Sequence, residues 1–281
     1  MKLQSYSIFA AAVLLTSAGR AQSALPFEPN HDSGQSITGA FEGWFPNPDG
    51  TFSLLLGYYN RNQQQVLDIL PGPDNRIEPG GPDQGQPTHF LPGRQWGVFT
   101  ITLPKDFGDK KLTWTIKANG KTCVIPVSLH PMYEVEPFQE ASGNTPPFIS
   151  FSEAGPFVQG PRGQSIELAA TVASPVTIPL WLADDAKTVL AARLLGPPVT
   201  VTWSKFRGPG AVKYSNPRPP VEKASFKAPD RAIFSGTAST TATFSEPGDY
   251  ILRVVANDWS GDGGRGFQCC WSNAQVRVTV R

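Results

Sequence analysis

The sequence predicts an all-β protein: two antiparallel β-sandwiches of immunoglobulin-like type joined by a Pro-rich linker. Three observations carry that expectation. Gly (27) and Pro (28) make up close to a fifth of the 281 residues, against about 12% in average usage, and both disfavour helix interiors. Apolar residues alternate with Thr and charged residues at period two over several short runs, the pattern of half-buried antiparallel strands. Clusters of turn-forming residues separate those runs.

The chain opens with Lys2, the apolar run Ile8–Leu15 and small residues at Gly19 and Ala21. That order matches a secretory signal peptide over 1–21, cut after Ala21 or alternatively Ser23. The run is short of the about 20 apolar residues that cross a bilayer. The mature chain is therefore expected to be secreted or periplasmic, with no membrane insertion after cleavage.

A first domain is expected over 37–130. Strands are read at Ile37–Phe45, Thr51–Tyr59 and Gln65–Ile69, followed by a polar Gly/Pro loop, Pro71–Pro87, too irregular for an element of its own. Phe99, Ile101 and Leu103 then alternate with Thr, as do Leu112, Trp114 and Ile116. Asn119-Gly120 marks a hairpin turn into Cys123–Leu129. Residues 131–150 are proline-rich and lack sustained periodicity, which is linker chemistry.

The second domain is expected over 151–281. Ile166, Leu168, Ala170 and Val172 share one face, Val176–Ala183 reads as a strand, and Asp184–Leu195 has helical composition. Val199, Val201 and Trp203 form another apolar face, while Tyr250, Leu252, Val254 and Ala256 face the core and Arg253 faces water. The last strand ends at Val280.

Trp203 through Gly210, Phe244 through Tyr250, and Asn257-Asp258 together resemble the PKD-like, immunoglobulin-type repeats of secreted bacterial proteins. The resemblance covers about residues 160–281. It implies a sandwich with a core Trp at Trp203 and a corner Tyr at Tyr250. It implies no activity, because such folds host many functions.

Formal charge is +1, and loss of Lys2 and Arg20 with the leader keeps it near neutral. Such a balance offers no footprint for nucleic acid or anionic lipid. Cys123, Cys269 and Cys270 are an odd number for an oxidising compartment. Cys123 falls in phase with Ile125 and Val127, as a small buried hydrophobe would. For Cys269 and Cys270 three states stay open: a vicinal disulfide, a bridge to Cys123, or free thiols. Neighbouring Cα atoms lie ~3.8 Å apart, below the usual disulfide range of roughly 4.4–6.8 Å.

Asp258-Trp259-Ser260-Gly261-Asp262-Gly263 begins like a Ca²⁺ loop, with oxygen ligands at the first, third and fifth positions. Its twelfth position is Cys269 rather than Glu, so a Gly-rich turn is the better reading, as it is for Asp74, Glu78 and Asp83 in the long loop. No cofactor is required. His31, His89 and His130 show no paired spacing for a metal, and there is no Gly-x-Ser-x-Gly elbow. Among the aromatics, Trp44, Phe45, Tyr58, Tyr59, Trp96, Trp259 and Trp271 could present rings to a sugar or a protein. Trp259 and Trp271, with Asp258 and Asp262 between or beside them, mark the expected recognition surface. The function expected is a non-enzymatic adhesion, scaffold or binding module for an extracellular protein or polysaccharide. A carbohydrate-binding protein using exposed aromatics is the alternative, and an enzyme with its site in Pro71–Pro87 or at the domain junction is a further one. Nothing in the sequence sets the oligomeric state.

Overall fold

A computed structural model describes residues 31–140, 143–187, 196–258 and 269–281. In the N-terminal half the strands are β1 (Ile37–Pro46), β2 (Phe52–Asn60), β3 (Leu67–Asp68), β4 (Asn75–Glu78), β5 (His89–Phe90), β6 (Gly93–Leu103), β7 (Lys111–Ala118) and β8 (Lys121–Ser128). Two three-stranded antiparallel sheets, β1-β2-β6 and β4-β7-β8, enclose one core that includes Ile37, Leu54, Leu56, Tyr58, Trp114 and Ile116. A short β3-β5 ladder lies beside them. Asn119 and Gly120 both take positive φ (48° and 75°) between β7 and β8, as a type I′ hairpin turn requires.

The expected irregular loop Pro71–Pro87 is instead built around β4, which pairs with β7. Asn75 explains the difference. Fully buried, it donates to the carbonyls of Ile69 (3.0 Å) and Pro87 (2.8 Å) and accepts from Trp114 Nε1 (3.0 Å). One amide side chain thereby closes both ends of the segment, a long-range device that periodicity does not reveal.

Residues 131–140 and 143–150 are also ordered by contacts. Pro131–Tyr133 forms a single 3-10 turn, Val135 N–H donates to Trp44 O (2.9 Å), and Phe148–Ser150 becomes β9, pairing with β11 (Val176–Asp184). Between these two lies β10 (Ser165–Ala170). The remaining strands are β12 (Thr200–Arg207), β13 (Val212–Tyr214), β14 (Glu222–Lys223), β15 (Phe234–Phe244), β16 (Gly248–Asn257) and β17 (Trp271–Val280). They form a four-stranded sheet, β10-β17-β16-β12, and a sheet ordered β13-β15-β11-β9 with β14 also on β15. All the pairings are antiparallel except β10 with β17, which is parallel.

The two sheets sandwich Ile178, Leu180, Leu182, Trp203, Tyr250, Leu252, Val254 and Val276. Tyr250 makes the corner: its hydroxyl accepts from Gly210 N–H (3.0 Å) and donates to Glu246 O (2.9 Å). Strand Val176–Asp184 agrees with the sequence reading, whereas Ala186 and Lys187 continue without helix and residues 188–195 lie outside the described ones.

Candidate functional site

Arg253, expected in water, is 7% exposed. It projects from the outer face of β16, the same face as Ile251 and Val255, and that face meets the β1-β2-β6 sheet rather than solvent. Its guanidinium donates to Trp96 O (3.3 Å), Gly97 O (3.1 Å) and Asn273 Oδ1 (2.8 Å). Asn273 Nδ2 donates in turn to Gly97 O (2.8 Å) and Pro161 O (3.0 Å). On the opposite side, Glu42 accepts from Gly97 N–H (2.7 Å) and from Arg94 (2.7 Å). Burial pushes the Glu42 carboxyl up, and the facing Arg94 pulls it back.

Apolar contacts fill the same junction. Phe45, Leu55, Val135, Val255 and Trp271 form one buried cluster drawn from both halves, and Phe206 and Ile251 join the N-terminal core. Trp271 rests on Gly97: a Cβ there would lie 2.3 Å from the indole. At the margin, Arg207 grips Asp83 with two hydrogen bonds (2.8 and 2.9 Å) and donates to Gln86 O (2.8 Å). The Arg207 guanidinium holds the Asp83 carboxyl below its ordinary range. Residues 31–281 thus make one compact unit.

The sequence placed its recognition surface at the end of β16 and the start of β17. Trp259 and Asp262 lie outside the described residues. Trp271 is 1% exposed, which corrects its expected place on an open surface; the opposing β1-β2-β6 sheet covers it. Of the other ring residues, Trp44, Phe45 and Tyr58 are buried as well, Trp96 is half-buried and Tyr59 is exposed. Asp258 is fully buried, and Asn144 Nδ2 donates to it (2.6 Å). Cys269 and Cys270 are both buried and stand as a vicinal pair, Cα atoms 3.1 Å apart, while Cys123 is a half-buried free thiol.

Asp184 and Asp185 approach this end from β11. Asp184 Oδ1 accepts from Ala186 N–H (2.7 Å), while its Oδ2 is buried without a hydrogen-bond partner. Burial first, then the charges of Asp258 and Asp185, push the Asp184 carboxyl up to about 8. Asp185 is committed to the Thr145 hydroxyl (3.0 Å) and Lys187 N–H (3.0 Å). Among the described residues no three His, Cys, Asp or Glu side chains gather as metal ligands. In the long loop, Asp74, Glu78 and Asp83 face Lys117, Arg76 and Arg207 respectively.

A second location has no signature in the sequence. Where the β3-β5 ladder meets β12 and the segment 209–214, a cleft of about 530 Å³ opens, lined by Asp68, His89, Trp203, Lys205, Tyr214 and Glu246 among others. His89 Nδ1 meets Asp68 Oδ1 at 2.7 Å, and Lys205 Nζ approaches the same oxygen at 3.3 Å. Lys205 also donates to Gly210 O (3.1 Å). Burial lowers the His89 imidazole, and the Asp68 hydrogen bond opposes that shift. The groups come from positions 68, 89, 203–205, 214 and 246, brought together only when the halves close.

No protein-family model matches the chain, and no curated sequence is similar to it. Among solved structures, domains 4 and 5 of the S-layer protein SbsC are 13% identical, covering 61% of this chain and 65% of theirs, with a TM-score of 0.25. The D00-D0 domain of intimin is 12% identical (87% and 100% covered, TM-score 0.26), and the titin Ig tandem A164-A165 is 9% identical (88% and 99%, TM-score 0.22). Likenesses at these scores carry no argument, and the all-β assignment rests on the sheets described above.

Proposed function

We propose that this chain is an exported, non-enzymatic binding module: two immunoglobulin-like sandwiches, over about 37–130 and 151–281, held in fixed relation by residues 131–150 and the buried junction. The C-terminal sandwich is the PKD-like one. The leader over 1–21 would deliver it to the periplasm or the exterior, where a protein or polysaccharide is the partner.

One observation supports this reading above the others. Arg253, Asn273 and Trp271 are committed to backbone and glycine of the opposite half, an arrangement that fixes two sandwiches instead of letting them close over a substrate. Inter-domain contacts of ordinary size leave relative motion as the default, so a charged and apolar lock points to presentation of a rigid surface. The test is retention of the fluorescently labelled mature protein on arrays of extracellular polysaccharides and matrix proteins. Specific, saturable retention supports the module. Turnover of chromogenic glycoside, ester or peptide substrates without retention would replace it with the enzyme reading.

A further inference from the structure

Four consecutive residues at the head of β17 gather segments from across the molecule. Cys270 Sγ lies 3.5 Å from Asn144 O, and Trp271 covers Gly97 of the opposite half. Ser272 Oγ accepts from Gly160 N–H (2.8 Å) and donates to Pro147 O, while Asn273 donates to Gly97 O and Pro161 O. The segment 144–161 and strand β6 thus meet on residues 270–273. The Cys269-Cys270 pair opens this run, and its members are 3% and 0% exposed.

The state of the two sulfurs decides whether this head fits its site. A disulfide holds its sulfurs about 2.05 Å apart, whereas unbonded heavy atoms rest at roughly 3.5–4.0 Å. Two thiols at 269 and 270 need that extra room inside a closed, packed interior, which takes added volume poorly. Asn144 on one side and the backbone of Trp271 on the other would have to yield. The order of events follows from burial as well. A disulfide forms by attack of a thiolate on an oxidant, through a mixed disulfide; a pair this enclosed gives the oxidant no approach, and burial in apolar surroundings disfavours the thiolate. Oxidation therefore belongs before closure.

We infer that Cys269 and Cys270 form a redox lock on the junction: the two halves seal only after the pair is oxidised, and sealing then shields the bond from reductants. One thiolate of the pair attacks a disulfide oxidant such as oxidised glutathione and releases one glutathione thiol; the neighbouring cysteine then displaces the second. The pair gives up two protons and two electrons, and the oxidant becomes two thiols. The oxidant is supplied by the compartment, so the protein closes outside a reducing cytosol and not within it. From the binding-module reading the inference takes only that the chain is exported.

The test starts from mature protein unfolded and reduced in urea, then refolded either with oxidised glutathione or with a phosphine reductant. The reduced sample is expected to melt about 2–12 °C lower, the range that overpacking gives in a chain of this size, and its tryptophan fluorescence and far-ultraviolet circular dichroism transitions are expected to separate. Cys123→Ala is expected to keep this response, and the double variant Cys269→Ala/Cys270→Ala, which has neither bond nor crowding, to melt alike under both conditions. Folded oxidised protein held with dithiothreitol and then alkylated is expected to keep the pair bonded, whereas the same treatment in urea opens it. Three results overturn the inference: reduced and oxidised samples melt together with coincident transitions, Cys123→Ala abolishes the difference, or dithiothreitol opens the pair as fast in the folded protein as in urea. Retention of the oxidised protein on the arrays is independent of all three, so the lock can fail while the binding module stands.

Discussion

Asp184 shows how a single buried residue ties stability to pH. Its folded carboxyl titrates near 8, against ~3.9 in an unfolded chain. Between those values the folded state holds a proton that the unfolded state has released, so this group's contribution is full below about pH 4 and is lost as pH rises toward 8. Asp184→Asn keeps an oxygen for Ala186 N–H and removes the ionisation. The variant is expected to melt above the wild type near pH 9 and close to it near pH 5, as followed by circular dichroism. Equal shifts at both pH values would mean that packing, not charge, sets the difference. At the same end, non-reducing digestion and mass spectrometry are expected to yield a Cys269–Cys270 peptide two hydrogens lighter than the dithiol form. Full alkylation of both residues would instead show free thiols. The sequence named Asp258 for its loop spacing and Cys269 and Cys270 as neighbouring cysteines, but Asp184 and Asn144 approach Asp258 across the fold, and no local pattern marks that.

At the scale of elements, glycine separates two kinds of constraint. Gly120 has φ 75° with open space where a Cβ would be, whereas Gly97 has φ 51° and the Trp271 ring against it. Gly120→Ala is expected to cost about 1 kcal/mol, the backbone term alone. Gly97→Ala adds overpacking of typically 1–3 kcal/mol and is expected to cost at least twice as much in urea unfolding. Similar losses at the two sites would mean that Trp271 moves aside freely. Strands were legible from alternation, as with Phe99–Leu103, whose Thr100 and Thr102 keep a partly solvated face, and Leu112–Ile116, although there Thr115 is buried. β2 was legible as a strand, yet its unbroken Leu54-Leu55-Leu56 run carried more: Leu54 and Leu56 face one core and Leu55 the junction. Val254-Val255-Ala256 repeats the pattern on β16. Two continuous apolar runs in an alternating protein were the signal for a two-sided burial, and Arg253 beside the second run belongs to it.

For the whole molecule, the junction couples two cores that the sequence read as separate. Urea unfolding is expected to show one cooperative transition despite the two sandwiches. Arg253→Ala would leave Asn273 Oδ1 and the Trp96 carbonyl unanswered in a buried site, at a cost of roughly 3 kcal/mol. It is expected to split the transition in two, visible by comparing tryptophan fluorescence with far-ultraviolet circular dichroism. Two transitions already present in the wild type would show that the halves unfold independently. The sandwich architecture was readable from turns and periodicity, since those are local. The cleft was not, because Asp68, His89, Trp203 and Tyr214 lie on segments far apart in sequence and meet only through the junction.

The order of strands in the β10-β17-β16-β12 sheet bears on how the molecule is made. β17, residues 271–280, sits in the interior, with β10 pairing along one side and β16 along the other. During synthesis β10 therefore waits more than a hundred residues for its neighbour, a contact of long sequence separation of the kind that slows folding. Until that strand arrives the C-terminal half has an open gap in its sheet, and the junction surface on β16 has no Trp271 beside it. Closure of this gap has to await that strand, and a ribosome-stalled chain lacking residues 271–280 should expose that edge to chaperones and to association with other nascent chains.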